Sequence, residues 1–216
     1  MYRNKKNVQQ AQVNDIFCEM GNIGTGASMA SLSHIIGAEV NYSPSVVNAG
    51  GYDGLSSWFG YAGENVAAVL IPFCGSIGGM ILQVYKNEMV NTILGGVLER
   101  EPGSCELDGR HLDILKEVAN ITASSYLTAL SACSGCRIDI SEAAVSMDMV
   151  GAIITELIGT AGNYGGVLCI GNRFSVNGAD DSHILVMLDK ESAGKLLEAL
   201  EVVTAITGWA ETIQSG

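Results

Sequence analysis

The 216-residue chain is 48% hydrophobic with mean hydropathy +0.29, enough apolar material for a core and too much for a disordered polymer. A net charge of −12, with only 11 Lys and Arg, argues against nucleic acid or an anionic membrane as partner, because such affinity comes from cationic contacts that release counterions. The longest apolar run, residues 66–73, is too short to span a bilayer, and polar residues 7–14 follow the basic start where a signal peptide would be apolar. A cytoplasmic protein without membrane insertion is expected.

From about residue 8 to 36, Val13, Ile16, Phe17, Met20, Ile23, Ala27, Ala30 and Ile35 fall close to helical spacing, and Gly37 supplies a stop. This predicts a long amphipathic helix whose polar face carries Asp15, Glu19 and Asn22 and continues to Gly26 and Ser33. Residues 38–47 alternate as a strand with Pro44 inside, which points to an edge or a bend. The Gly- and Ser-rich stretch 49–63 reads as a loop or irregular hairpin. Residues 66–73 and 79–85, apolar and bounded by Gly, read as paired buried strands, and 86–98 as a helix ended around Pro102. A second long helix is predicted over 107–133, then a strand over 137–146 and a helix or extended segment over 150–158. Strands at 166–171 and 183–188 and a closing helix from Lys190 complete the order. Hairpin-linked strands between helices predict an α+β fold with a mainly antiparallel sheet.

The polar stripe occurs twice. Asp113, Glu117 and Asn120 repeat Asp15, Glu19 and Asn22 at an offset of 98 positions, and Ile16, Ile23, Leu32, Ser33, Gly37 and Ser43 recur in register as Ile114, Ile121, Leu130, Ser131, Gly135 and Ser141. A repeat this long predicts a pseudo-two-fold molecule from one duplicated αβ unit. We expect a single domain over 1–216, with lobes of approximately 8–102 and 107–213.

The spacing i, i+4, i+7 keeps each trio within an arc of about 60° on a helix. Asn does not titrate, so a Glu/Asn pair is a poor acid/base dyad. It can recognise a cation through Glu and orient a water through Asn, which suits phosphoryl hydrolysis, where positioning and electrostatics matter more than a strong base. Glycines at 21, 24 and 26, in mid-helix, cost about 1 kcal/mol each relative to Ala. Ala119, Thr122 and Ser124 stand there in the second copy, so small side chains are what recurs. They either admit a partner surface close to the Asn or pack helix against helix within the fold.

Other motifs are absent from the sequence. Gly24-Thr25-Gly26 is not preceded by a strand and is neither a dinucleotide fingerprint nor a P-loop. Cys133 and Cys136 form one CxxC without a second pair or a nearby His, so no metal site is expected, and none of His34, His111 and His183 is a candidate catalyst.

At the stripe the chain resembles the CheC/CheX/FliY family of chemotaxis phosphatases, whose signature is Asp or Ser, three residues, Glu, two residues, Asn, then about twenty-two residues to a Pro. Asp15, Glu19, Asn22 and Pro44 fit it; Asp113, Glu117 and Asn120 fit it, with Glu142 in place of the Pro. The segment 147–153 is similar to the stretch after the second motif in CheC proteins, and two motifs in a chain of this length are more like CheC than CheX. The resemblance implies hydrolysis of the aspartyl phosphate on a CheY-type receiver domain. Glu19 and Glu117 would contact the receiver's lysine, and Asn22 and Asn120 would orient the attacking water. Asp15, Asp113, Pro44 and Gly26 would support binding. The Mg²⁺ would belong to the receiver, leaving this chain without a cofactor of its own, and CheC proteins also typically bind the deamidase CheD. A non-catalytic adaptor for CheD or a receiver is the alternative; a flagellar switch component would call for an extra switch-binding domain.

Overall fold

A computed structural model describes residues 2–50, 58–59, 63–99, 107–161, 167–178 and 181–200. Helix α1 spans Tyr2–Ile36, followed by β1 (Val40–Tyr42), β2 (Val46–Gly50), β3 (Asn65–Gly75), β4 (Gly79–Tyr85) and α2 (Asn87–Leu98). A matching order then returns as α3 (Gly109–Ser134), β5 (Ile138–Ile140), β6 (Ala144–Met149), α4 (Val150–Ala161), β7 (Val167–Val176), β8 (Ser182–Asp189) and α5 (Lys190–Ala199), with α4 between β6 and β7 where the first half has the helical Trp58-Phe59 between β2 and β3.

All strands lie in one antiparallel sheet ordered β1-β7-β8-β4-β3-β5, with β2 also beside β7 and β6 also beside β3. The pseudo-two-fold passes between β4 and β8. Each half lends its short outer strands to the other half's hairpin: Tyr42 pairs with Phe174 where Ile140 pairs with Phe73, and Val46 with Gly171 where Ala144 pairs with Leu70. The sheet therefore interleaves the two halves. This is the α+β, pseudo-two-fold architecture expected from the repeat.

Alternation decides the layers, because successive strand residues face opposite sides. Val69, Ile71, Ile81, Ile184, Val186 and Leu188 join the main core beneath α1, α2, α3 and α5. Their neighbours Val66, Ala68, Leu82, Val84, Leu185 and Met187 face the other side, against α4 and Phe59. Both faces of the central hairpins are covered, which explains why these strands read as continuous apolar runs. Val13 and Phe17 of α1, and Leu115 and Tyr126 of α3, seat the two long helices on the main core. No helix among the described residues is long and apolar enough to cross a membrane.

The expected strand over 38–47 is two strands on the sheet edge, interrupted at 43–45 around Pro44. The second half breaks at the same place without a proline, as β5 ends at Ile140 and β6 begins at Ala144. Matching backbone bonds hold both bends: Ser43 N–H donates to Arg173 O at 2.8 Å, and Ser141 N–H to Pro72 O at 2.8 Å. The ladder across the edge, present in both copies, sets the bend.

Helix α2 ends at Leu98 as expected, while other boundaries differ, α1 beginning at Tyr2 and not near residue 8. Strand β7 continues to Val176, beyond the expected 171, through the polar pair Asn172-Arg173. Residues 150–161 are helical. Helix α2 stops at Leu98 because Glu99 turns into the left-handed region at φ 51°, its N–H donating to Gly95 O. Pro102 lies outside the described residues, as do 51–57 and 60–62 of the expected loop and 201–213 of the second lobe. β2 runs to Gly50, and Trp58-Phe59 is helical.

Candidate functional site

Helix α1 displays Asp15 and Glu19 to solvent and leaves Asn22 half-buried one turn further along. The helix begins at Tyr2, so the two carboxylates stand well inside it, beyond reach of its N-terminal dipole. Among the described residues the Glu19 carboxylate has no hydrogen-bond or ion-pair partner. Asn22 is different: its Oδ1 accepts the Ser45 N–H at 2.8 Å, just after Pro44. That bond fixes the carboxamide and leaves the two Nδ2 hydrogens to donate.

A buried polar group stands behind this contact. Asn172 Oδ1 accepts from Thr25 Oγ1 at 2.8 Å and from Ser45 Oγ at 3.0 Å, while Asn172 Nδ2 donates to Ser43 O at 2.9 Å. Thr25 and Asn172 are 0% and 3% exposed. One side chain on β7 thus binds α1 and both ends of the Pro44 bend. Sequence reasoning did not single out Thr25, Ser45 or Asn172; the available signal was the polar pair Asn172-Arg173 interrupting an apolar strand run.

The same close approach accounts for two glycines. A Cβ at Gly21 would fall 2.4 Å from Ser45 Oγ and 2.5 Å from Ile170 Cγ2, and one at Gly24 would fall 2.5 Å from the Tyr126 ring. Of the two readings left open for these small residues, Gly21 and Gly24 follow packing within the fold, Gly24 against α3 and Gly21 against the Pro44 bend and β7. Gly26 lies at the rim, where a Cβ would stand 3.1 Å from Tyr42 Oη. Pro44, Tyr42 and Val46 are exposed beside it.

Helix α3 presents the second trio on a matching face. Asp113 and Glu117 are exposed and Asn120 half-buried. Among the described residues Glu117 lacks a partner, and so does Asn120 Oδ1, though it is shielded from solvent. Glu117 and Asn120 line an open groove of about 650 Å³ between α1 and α3, walled by Ala27, Ser31, Ser124 and Thr128. Glu142, in the proline's place, meets Lys116 Nζ at 3.4 Å in an exposed ion pair, a contact of little energetic weight.

The two sites share a backbone but not the polar group behind it. The strand registers match Asn172 to Ile71, and the repeat matches Thr25 to Ala123 and Ser45 to Ala143, all three counterparts buried and apolar. Under α3 a different buried group, Gln83, takes Thr122 Oγ1 at 3.0 Å and donates to Ala119 O at 3.0 Å. It holds the helix backbone and does not reach the Asn120 head.

The remaining titratable groups stand apart from this chemistry. Partial burial, then the charge of Asp15, pushes the Cys18 thiol up, which keeps it neutral beside the stripe. His111 completes the capping box of α3 with Asp108, and His183 is buried against Phe59. Among the described residues no three His, Cys, Asp or Glu gather as a metal site.

The CheC-like family profile matches residues 111–141, the stretch from the start of α3 through β5 that contains Asp113, Glu117 and Asn120. The CheY-P phosphatase CheC of Bacillus subtilis (strain 168) is 30% identical over 145 residues, spanning 66% of this chain and 69% of the relative. This chain belongs to the CheC-like family. The fold of this CheC-like chain is similar to that of Thermotoga maritima FliY, with TM-score 0.70 and 20% identity over 88% of this chain and 96% of the other. It is also similar to a chain of the CheX-CheY-BeF3-Mg²⁺ complex from Borrelia burgdorferi, with TM-score 0.51 and 17% identity over 77% and 95%. At those identities the structural likeness is one of fold.

Proposed function

We propose that this CheC-like chain hydrolyses the aspartyl phosphate of a CheY-type receiver domain, through Glu19 with Asn22 and Glu117 with Asn120. The observation that carries the reading is the pairing itself. On each of two long, core-seated helices, an exposed carboxylate without a partner among the described residues stands one turn from a half-buried carboxamide. Holding such groups on a helix fixes their separation before a partner arrives, which is what a positioning catalyst requires.

In this scheme the Glu carboxylate takes the receiver's lysine ammonium and sets the register of docking. The Asn amide holds a water in line with the phosphorus. Water oxygen bonds to phosphorus as the bond from phosphorus to the aspartyl oxygen breaks, giving inorganic phosphate and a free receiver carboxylate. The leaving carboxylate needs no proton and the loose transition state needs no strong base, so a non-titrating Asn suffices. The receiver brings its own Mg²⁺. Exposed Tyr42, Val46 and Pro44 flank the first pair and Ile121 the second, as apolar rims for a macromolecular substrate.

The experiment follows decay of a phosphorylated CheY-type receiver with wild type, with Glu19→Ala/Asn22→Ala and with Glu117→Ala/Asn120→Ala, with and without a CheD-type deamidase. Wild type accelerates decay, and each double variant accelerates it less. Tight receiver or deamidase binding without any acceleration would replace the enzyme reading with that of an adaptor.

A further inference from the structure

Resting on the hydrolysis reading, we propose that Thr25, Ser45 and Asn172 are positioning residues for the first pair alone, locking the Asn22 carboxamide for water orientation while Asn120 works without such a lock. Asn22 Oδ1 is held by the Ser45 N–H at 2.8 Å, and the Ser45 backbone is held in turn. Asn172 takes the Ser45 hydroxyl at 3.0 Å, binds Ser43 O at 2.9 Å on the other side of Pro44, and takes the Thr25 hydroxyl at 2.8 Å, one turn beyond Asn22 on α1. The helix bearing the amide and the bend bearing its donor therefore meet at one buried side chain. An amide whose oxygen is already occupied can turn only one way, so its NH₂ is presented in a fixed direction before substrate arrives.

The second half supplies the internal comparison. With Ala123, Ala143 and Ile71 at the matching places, no buried polar side chain among the described residues ties the β5–β6 bend to α3, which the exposed Lys116–Glu142 ion pair joins at the surface, and Asn120 Oδ1, though shielded from solvent, has no partner among the described residues. The bend itself keeps its place through Ser141 N–H on Pro72 O at 2.8 Å. The apolar triplet is thus compatible with this backbone, and transplanting it into the first half gives a variant expected to fold.

The test is the triple variant Thr25→Ala/Ser45→Ala/Asn172→Ile in two backgrounds. With only the first pair active (Glu117→Ala/Asn120→Ala), the triple variant lowers kcat for phospho-receiver hydrolysis by about tenfold and leaves KM within about twofold, the scale of one lost orienting hydrogen bond. With only the second pair active (Glu19→Ala/Asn22→Ala), it leaves kcat and KM within about twofold. Hydrogen exchange of the Ser45 amide gives a readout without turnover: protected in wild type, it exchanges at least about tenfold faster in Asn22→Ala and in the triple variant. An unchanged kcat in the first background, an equal loss in both, or a Ser45 amide unprotected in wild type overturns the proposal. If neither background hydrolyses the receiver, the hydrolysis reading itself fails, and the exchange rates then judge the lock separately.

Discussion

Gly21→Ala separates two roles for the small residues of α1. If the glycine exists to admit a partner, Ala there raises helix propensity by about 1 kcal/mol, stabilises the chain and weakens only partner binding. The geometry predicts the opposite for stability. The new methyl would lie 2.4 Å from Ser45 Oγ, 2.9 Å from Ser45 Cβ and 2.5 Å from Ile170 Cγ2. Ser45 and Ile170 are 8% and 3% exposed, and the colliding atoms sit close to their own backbones, so relief requires the Pro44 bend or β7 to move. Overpacking of this kind costs about 1–3 kcal/mol, and we place this site at the upper end. Less the propensity gain, the net loss is about 2 kcal/mol, or about 4–8 °C in Tm for a chain of this size. Thermal unfolding by circular dichroism measures it, and a Tm equal to or above wild type refutes the packing account of Gly21.

The same logic reverses at Gly194 in α5, where a Cβ would meet nothing within 4 Å; Gly194→Ala raises stability by about 1 kcal/mol and Tm by about 2–4 °C. His183 is held neutral: burial, the largest cause, pushes its pKa down from 6.5 to about 4. The unfolded chain therefore binds a proton between those values that the folded chain does not, so stability is full above pH 6.5 and falls toward pH 4, by about 3 kcal/mol in all. Between pH 6 and 5, denaturant titrations should show wild type losing about 1 kcal/mol more than His183→Gln. Glu142→Pro changes stability by less than about 1 kcal/mol, because the ion pair it removes is exposed and the bend is held by Ser141 N–H; a larger loss in chemical denaturation would mean that the bend depends on Glu142.

Periodicity carried most of the fold. The 3.6-residue spacing of Val13, Phe17 and their partners and the apolar runs of β3, β4 and β8 located these elements, since their burial is set by local pattern. The repeat located the matching halves. What the pattern could not reveal was how the halves interlock, because β1 and β2 pair with β7, more than a hundred positions away. Strand β7 was expected too short for a related reason: Asn172 interrupts its apolar run, yet is satisfied by Thr25, 147 positions distant, and by Ser45, 127 positions distant. The candidate pairs were legible as residue types at a spacing. That Asn22 is anchored and Asn120 is not depends on a backbone N–H, Ser45, which no side-chain motif encodes. Gly21 and Gly24 were legible as costly, while the occupants of their space, Ser45 and Tyr126, were not.

The proposed hydrolysis rests on a division of labour, with the carboxylates docking the receiver and the carboxamides orienting water. Asn22→Ala/Asn120→Ala tests this most directly when receiver binding and phosphate loss are measured on the same variant. We predict that it binds a BeF₃⁻-activated CheY-type receiver within about threefold of wild type while its acceleration of phospho-receiver decay falls by at least about a hundredfold. Undiminished acceleration by this variant would contradict the assignment of water orientation to Asn22 and Asn120.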